Sequence, residues 1–328
     1  MKSLSESPMK QFKMIVLAGL LAGMLPVAAV QAQAAYPSKP ITIIVPYGAG
    51  GVTDIAGRAL GESLGRQLNQ PVVIENKPGA AGSMGVIDMM NTKPDGYRLT
   101  LAPVGIFRQP YLQKTRYDPI RDLSYIASVW TYDFMVTVAA DSPFKTINEF
   151  VDYAKKHPGA IEYGTPGRYT GNQVVLAKLG KDEGIKFVHV PYKGDSEAMT
   201  ALLGGHTQAA VIANSVLPFL QSGKVRILAS AADVRPEAFS QVPTMKEAGY
   251  NVEVPSPLGL AGPKGLPQDI VNTLDQAVKK AMEDPAFQKV LQNYGVRTFY
   301  MDSNTYSEFA KTTFKEEKDI IGNLGLDD

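Results

Sequence analysis

The 328-residue chain is 45% hydrophobic and 20% charged, the balance of a globular protein too long for one small core and suited to two domains of roughly 130–150 residues. Its 33 basic and 32 acidic residues leave a net charge of +1, without the basic field that draws a protein to nucleic acid. Zero cysteines exclude a disulfide scaffold, a thiolate nucleophile, Cys-ligated zinc or iron–sulfur and a lipidated-cysteine anchor; three histidines, His157, His189 and His206, leave little for imidazole chemistry or a shared metal site.

Lys2, Lys10 and Lys13 precede an uncharged stretch over 14–30, and Ala32-Gln33-Ala34 follows as a small-x-small cleavage pattern. The stretch has 17 residues interrupted by Gly19, Gly23 and Pro26, short of the roughly 20 apolar residues that span a bilayer. Residues 1–34 are therefore expected to be a cleaved signal peptide. Its removal takes away three Lys and one Glu, leaving 30 basic against 31 acidic residues, and no later segment is long and apolar enough to cross a membrane.

From Ile41 the chain alternates short β-branched runs, Gly- or Pro-bearing turns and helix-length stretches with apolar spacing of three and four, the signature of α/β architecture. ITIIVP (41–46) predicts a fully buried strand, and YGAGGVT leads from it into a helix with Ala56, Leu60, Leu64 and Leu68 on one face. PVVIEN (71–76) is the next strand; a helix near 85–91 and the Asp95-Gly96 turn lead to the strand YRLTLA (97–102). A second series begins near 138, where Thr146 and Glu149 form a capping box for a helix ending at His157-Pro158. Strands are predicted at 161–163, 187–190, 209–212 and 226–229, separated by helices starting from the polar turns TGNQ (170), DSEA (195) and NSVLP (214). Past Pro255-Ser256-Pro257 the pattern changes: 262–265 reads as a loop, and helices near 268–283, 285–294 and 304–322 follow. A carboxyl end made only of helices has no sheet of its own, so it is expected to cover the first sheet. That gives two α/β lobes, 35–137 with 258–328 and 138–257, joined by two hinge crossovers around a cleft at the strand carboxyl ends.

The loop Tyr47-Gly48-Ala49-Gly50-Gly51-Val52-Thr53-Asp54 joins a buried strand to an amphipathic helix. Its glycines admit a close ligand, its free N–H groups and helix dipole favour an anion, and Thr53 is the expected N-cap. No P-loop or dinucleotide string is present, so a small carboxylate fits better than a nucleotide. The second Gly-rich loop, 75–85, either lines the cleft or stabilises itself by turn hydrogen bonds. In the second lobe Thr165-Pro166-Gly167-Arg168-Tyr169-Thr170-Gly171 repeats the strand, Gly turn and hydroxyl N-cap arrangement, with Arg168 either a fork for a carboxylate or a solvated surface charge. Lys193 reads as an amine nucleophile or a solvated lysine, His189 as a half-buried strand residue, and Asn214 as a ligand donor or a helix cap. Nucleophile-elbow, zinc-helix and EF-hand strings are missing, which removes the usual routes to catalysis and to a bound metal or cofactor.

Taken in order, VPYGAGGVTD, QPVVIENKPGAAGSMG, KPDGYRLTL, YDPIRDLSYIA, YGTPGRYTGNQ and VHVPYKGDSEAMTALLGGHTQAAV resemble the periplasmic solute receptors of the tripartite tricarboxylate transporter family, the Bug or TctC-like receptors. The resemblance implies a type II periplasmic-binding-protein fold, no enzymatic activity, a small carboxylated solute as ligand, and delivery to a two-component membrane permease; a periplasmic monomer without a cofactor, binding a carboxylate or dicarboxylate, is expected. It places carboxylate binding on Tyr47, Gly50, Gly51, Thr53 and Asp54 in the first lobe, and on Thr165, Gly167, Arg168, Tyr169 and Thr170 in the second; Asn214, closing a strand and heading a helix, is expected from its position to face the same cleft. Tyr169 stands where the family usually has a second glycine, and the segment carrying Val104 replaces a hydroxyl- and Asn-rich version, so a smaller, more positive pocket is expected. A ligand-sensing co-receptor for a membrane sensor and an exported enzyme acting on a carboxylic acid are the alternative functions.

Overall fold

Alternating branched side chains set the first sheet in the computed structural model, which describes residues 36–324; the expected signal peptide lies outside the described residues. β1 (Ile41–Val45) sends Ile43 and Val45 to one face, against Ala56, Leu60 and Leu64 of α1 (Val52–Leu68), and Ile44 to the other, against Val86 and Met89 of α2 (Ser83–Met90). Burial on both faces is why its sequence is continuously apolar. β2 (Val72–Asn76) and β3 (Arg98–Pro103) flank β1 in parallel. α3 (Gly105–Leu112) then leads to β4 (Leu123–Thr131), and the finished sheet is six-stranded in the order β11-β4-β10-β3-β1-β2, where β10 is Pro257–Pro263 and β11 is Arg297–Met301.

The second sheet is five-stranded, β7-β6-β8-β5-β9, built from β5 (Met135–Ala139), β6 (Glu162–Thr165), β7 (Val188–Pro191), β8 (Ala209–Ile212) and β9 (Val225–Ser230). Its helices are α4 (Ile147–Lys156), α5 (Gly171–Glu183), α6 (Asp195–Leu203) and the short α7 (Leu217–Gln221). The Thr146/Glu149 capping box starts α4 as its sequence requires, which satisfies two helix-start N–H groups. Phe150 of α4 and Val174, Val175 and Leu179 of α5 share one core; Ala198, Met199 and Leu202 of α6 share the other with Ala210 and Ile212.

The chain passes from the first sheet to the second at Tyr132-Asp133-Phe134 and returns through Val254-Pro255-Ser256. The two passages are hydrogen-bonded together, by Tyr132 N–H to Ser256 O (3.1 Å) directly and through Ala231, whose N–H reaches Phe134 O (2.8 Å) and whose carbonyl accepts from Val254 (3.0 Å). The carboxyl region is not purely helical, as its sequence suggests. Between α8 (Gln268–Met282), α9 (Pro285–Asn293) and α10 (Ser303–Leu324) lies edge strand β11, and before them β10 runs antiparallel to both β3 and β4. The sequence PLGLAGP hides this strand because its glycines read as loop. Their role is steric: a Cβ on Gly259 would overlap Ala127 O and the Tyr306 ring and come within 2.7 Å of Ser128 Cα. α10 serves both lobes, with Tyr306 and Ala310 on the first sheet and Ile321 in the second lobe's core.

Gly259→Ala is expected to destabilise the fold by about 1–3 kcal/mol through overpacking between β4 and α10. Gly322→Ala, on α10 with open space around the added methyl, is expected to be neutral or stabilising by up to about 1 kcal/mol. Urea unfolding midpoints of the two variants measure both effects.

Candidate functional site

Between the two sheets lies a cavity of about 320 Å³ whose walls contain the starts of four helices: Gly51–Thr53 of α1, Val104-Gly105 of α3, Thr170–Asn172 of α5 and Gly194–Ser196 of α6. The crossover residues Tyr132, Phe134, Val254, Pro255 and Ser256 complete it. A helix start leaves up to four N–H groups without a partner in its own helix and carries the positive end of the peptide dipole, so this cavity is lined with donors for an anion.

The first corner is held from behind. Gly50, at φ +80°, turns the chain, and its N–H donates to Asp54 Oδ2 (2.9 Å). Asn76 Nδ2 donates to both Asp54 Oδ1 and Tyr47 O (3.0 Å each), and Arg58 pairs with Asp54 at 2.9 Å. Burial pushes the Asp54 carboxyl up, but the Gly50, Arg58 and Asn76 donors outweigh it and hold the group below the usual carboxylate range. Thr53 is not the N-cap. Gly51 already has the extended dihedrals of a cap, so the helix begins earlier, and the Thr53 hydroxyl instead shares a 2.6 Å hydrogen bond with Tyr132 OH on the crossover.

At the second corner Thr165 is buried, its Oγ1 bonded to Gly167 O (2.8 Å) and His189 Nε2 (2.7 Å). Thr170 occupies the N-cap position of α5, but its hydroxyl donates to Gly167 O (3.1 Å) instead of capping, which leaves the helix-start N–H groups to the cavity. Tyr169 sits at φ +63°, a left-handed conformation unusual for a bulky side chain. It is pinned on both sides: its N–H donates to Gln173 Oε1 (2.5 Å) and its carbonyl accepts from Arg108 Nη1 (2.8 Å).

Of the residues weighed from sequence, Tyr47, Gly51, Thr53, Val104, Thr170 and Lys193 line the cavity. Gly50, Asp54, Thr165, Gly167 and Tyr169 stand behind it and shape its corners. Arg168 is exposed, its guanidinium 5.1 Å from the Tyr169 ring centre, and lies outside the lining. Asn214 is fully buried at the crossover, where Oδ1 accepts from Asp133 N–H (3.0 Å) and Nδ2 donates to Gly295 O (2.7 Å), so it joins the lobes. The 75–85 loop divides: Ala81 reaches the lining, whereas Glu75 and Lys77 pair with each other and with Arg98 and Asp88 at the surface.

Sequence reading misses Arg108 and Asp195. Arg108 is buried and bonded bidentately to Glu317 of α10, Nε to Oε2 at 2.6 Å and Nη2 to Oε1 at 2.5 Å. Its partner is 209 residues away, and no local pattern announces it. Asp195 accepts from Ser215 Oγ (2.6 Å) at Oδ2, while Oδ1 is buried without a partner among the described residues. Burial pushes its carboxyl up and the Ser215 bond opposes this; burial likewise pushes the Tyr47 phenol up, reinforced by Asp195 and opposed by Arg108. Among the described residues no group of three or more metal-ligating side chains occurs, and no helix is long and apolar enough to cross a membrane.

The profile of the family described as "Tripartite tricarboxylate transporter family receptor" matches residues 56–326. A Cupriavidus necator protein, "UPF0065 protein in gbd 5'region", is 41% identical over 97% of this chain and 99% of its own. A TctC solute binding protein from Polaromonas is 32% identical with a TM-score of 0.72, covering 88% of this chain and 99% of that one. MatC from Rhodopseudomonas palustris, solved with bound malate, is 25% identical with a TM-score of 0.78, covering 87% and 100%.

Arg108→Ala leaves Glu317 buried and unpaired, with an expected loss of about 3–5 kcal/mol; the double change Arg108→Met/Glu317→Leu is expected to recover most of it, read from denaturant midpoints. A pH series tests the second corner. Burial, with Arg168 nearby, pushes the His189 imidazole from 6.5 down to about 4, so His189 is neutral in the fold. Its contribution is complete above pH 6.5 and is lost as pH falls toward 4. His189→Gln is expected to lose less stability than the native chain over that window, measured by urea unfolding at each pH.

Proposed function

Because the chain belongs to the tripartite tricarboxylate transporter receptor family, we propose that it captures a small carboxylate or dicarboxylate in the periplasm and presents it to a two-component membrane permease or sensor. The observation that carries this reading is the convergence of four helix starts on one cavity. Unpaired N–H groups and dipole ends attract a carboxylate, and Lys193 stands in the same lining. The malate-bound Rhodopseudomonas palustris relative supports a carboxylate as the ligand class.

Closure follows from where the donors reside. α1 and α3 follow strands of the first sheet, and α5 and α6 follow strands of the second. A solute bound by both lobes stabilises the arrangement in which they face each other, because only there are all its contacts made. The paired crossovers provide the hinge, with no chemical step.

Thermal stabilisation of the purified protein by a panel of mono- and dicarboxylates is the direct test: a ligand at 100 times its Kd raises stability by about 2.7 kcal/mol. Absence of stabilisation by every carboxylate would contradict the reading. Thr170→Pro is expected to weaken binding of the active acid at least about tenfold, since a following proline disfavours the left-handed backbone of Tyr169. His157→Ala, exposed and stacked on Tyr153, is expected to leave the titration-calorimetry affinity unchanged.

A further inference from the structure

The cavity lining includes Asp195, a carboxylate that the described residues satisfy at only one of its two oxygens. Asp195 lines the cavity, Ser215 Oγ holds its Oδ2, and its Oδ1 is buried with no partner among the described residues. Asp195 is not the cap of α6: Gly194 occupies that position without a side-chain cap. It also does not pair with Arg108, whose Nε and Nη2 are taken by Glu317 and whose Nη1 is directed to Tyr169 O. A buried charged oxygen left unpaired is unfavourable, and a site that tolerates one rewards a ligand that pairs with it.

The surrounding charges define what that ligand group is. From its own segment Asp195 is flanked by Lys193 and Glu197, of which Glu197 Oε2 accepts from Lys193 N–H. Tyr47 of the first corner and Tyr132 of the crossover line the same cavity, and the Asp195 charge adds to the burial that pushes both phenols up. Its place at the start of α6 and the Ser215 bond favour the charged form, against the burial that pushes the carboxyl up. A carboxylate on the solute would repel this corner, whereas an N–H or O–H would complete it.

We propose that Asp195 is a specificity-determining residue whose free Oδ1 accepts a hydrogen bond from the solute, so that the preferred ligand carries an ammonium or hydroxyl donor in addition to its carboxylate. The proposal rests on the carboxylate-receptor reading above and adds a polarity to it: the helix starts take the anionic end and Asp195 takes the donor.

Matched trios that differ only in the donor test it: propionate, lactate and alanine; succinate, malate and aspartate; glutarate, 2-hydroxyglutarate and glutamate, titrated calorimetrically into the native protein, Asp195→Asn and Asp195→Ala. In at least one trio a donor-bearing member is expected to bind about tenfold or more tighter than the unsubstituted acid. Asp195→Ala is expected to reduce that ratio to within about threefold and Asp195→Asn, whose amide oxygen still accepts but carries no charge, to reduce it by less, both leaving the unsubstituted acid's affinity unchanged or improved. The hydroxyl and ammonium arms separate the two donor chemistries. Equal native affinity across every trio, or a ratio that survives both substitutions, overturns the role of Asp195 while the receptor reading stands. Binding of no member to the native protein removes both.

Discussion

An α-helix begins with N–H groups that its own backbone cannot reach, and this geometric fact organises the molecule around its cavity. Four helices from two sheets start at the same place. The topology makes this possible, because in a sheet whose strands are followed by helices the carboxyl ends of the strands and the amino ends of the helices share one edge. Setting two such edges against each other points the positive ends of several helix dipoles into one cavity. The nearest buried guanidinium, Arg108, is neutralised by Glu317 and adds position more than net charge. A solute anion is therefore met by fixed dipoles that need little reorganisation to receive it.

Fixed dipoles require a fixed backbone, and the polar groups behind the lining supply it. Asp54 and Asn76 brace the first corner through Gly50 N–H and Tyr47 O, and the second corner is held through Tyr169, whose two peptide groups are bonded to Gln173 and Arg108. Arg108 thereby connects α3, α10 and the Tyr169 loop. A buried ion pair is weak support for stability in itself, since desolvation offsets much of its attraction. Its effect here is geometric: it determines where the Tyr169 carbonyl sits, and with it the start of α5.

The elements that could be read in advance were those with a local cause. β1 and α1 follow from apolar period, α4 from its capping box, and the two corner loops from glycine and hydroxyl placement. β10 was unreadable because its glycines answer to neighbours far away in the chain, Ala127 and Tyr306 against Gly259 and Leu99 beside Gly262. Thr53 misled because a hydroxyl beside a helix start signals a cap, and nothing local reveals that Tyr132, 79 residues on, claims it. Arg168 misled in the opposite way: a loop arginine is visible in sequence, while the arginine that reaches the cavity lies inside a helix with its partner 209 residues distant. Fold class is thus encoded locally, whereas the identity of the cavity wall is encoded in long-range pairs.

The lobes are linked by more than their two crossovers. Asn214 bonds to Asp133 and Gly295, Arg297 reaches both Asp133 and Asp233, Arg108 reaches the Tyr169 carbonyl, and Ile321 at the end of α10 enters the second core. These contacts need no solute, so they already favour the facing arrangement of the lobes. A ligand shifts a conformational equilibrium only by its differential contacts. Links that hold the lobes together in advance leave less for the ligand to do in closing them and retain more of its contact energy as affinity. They are also the contacts that must yield if the lobes are to part.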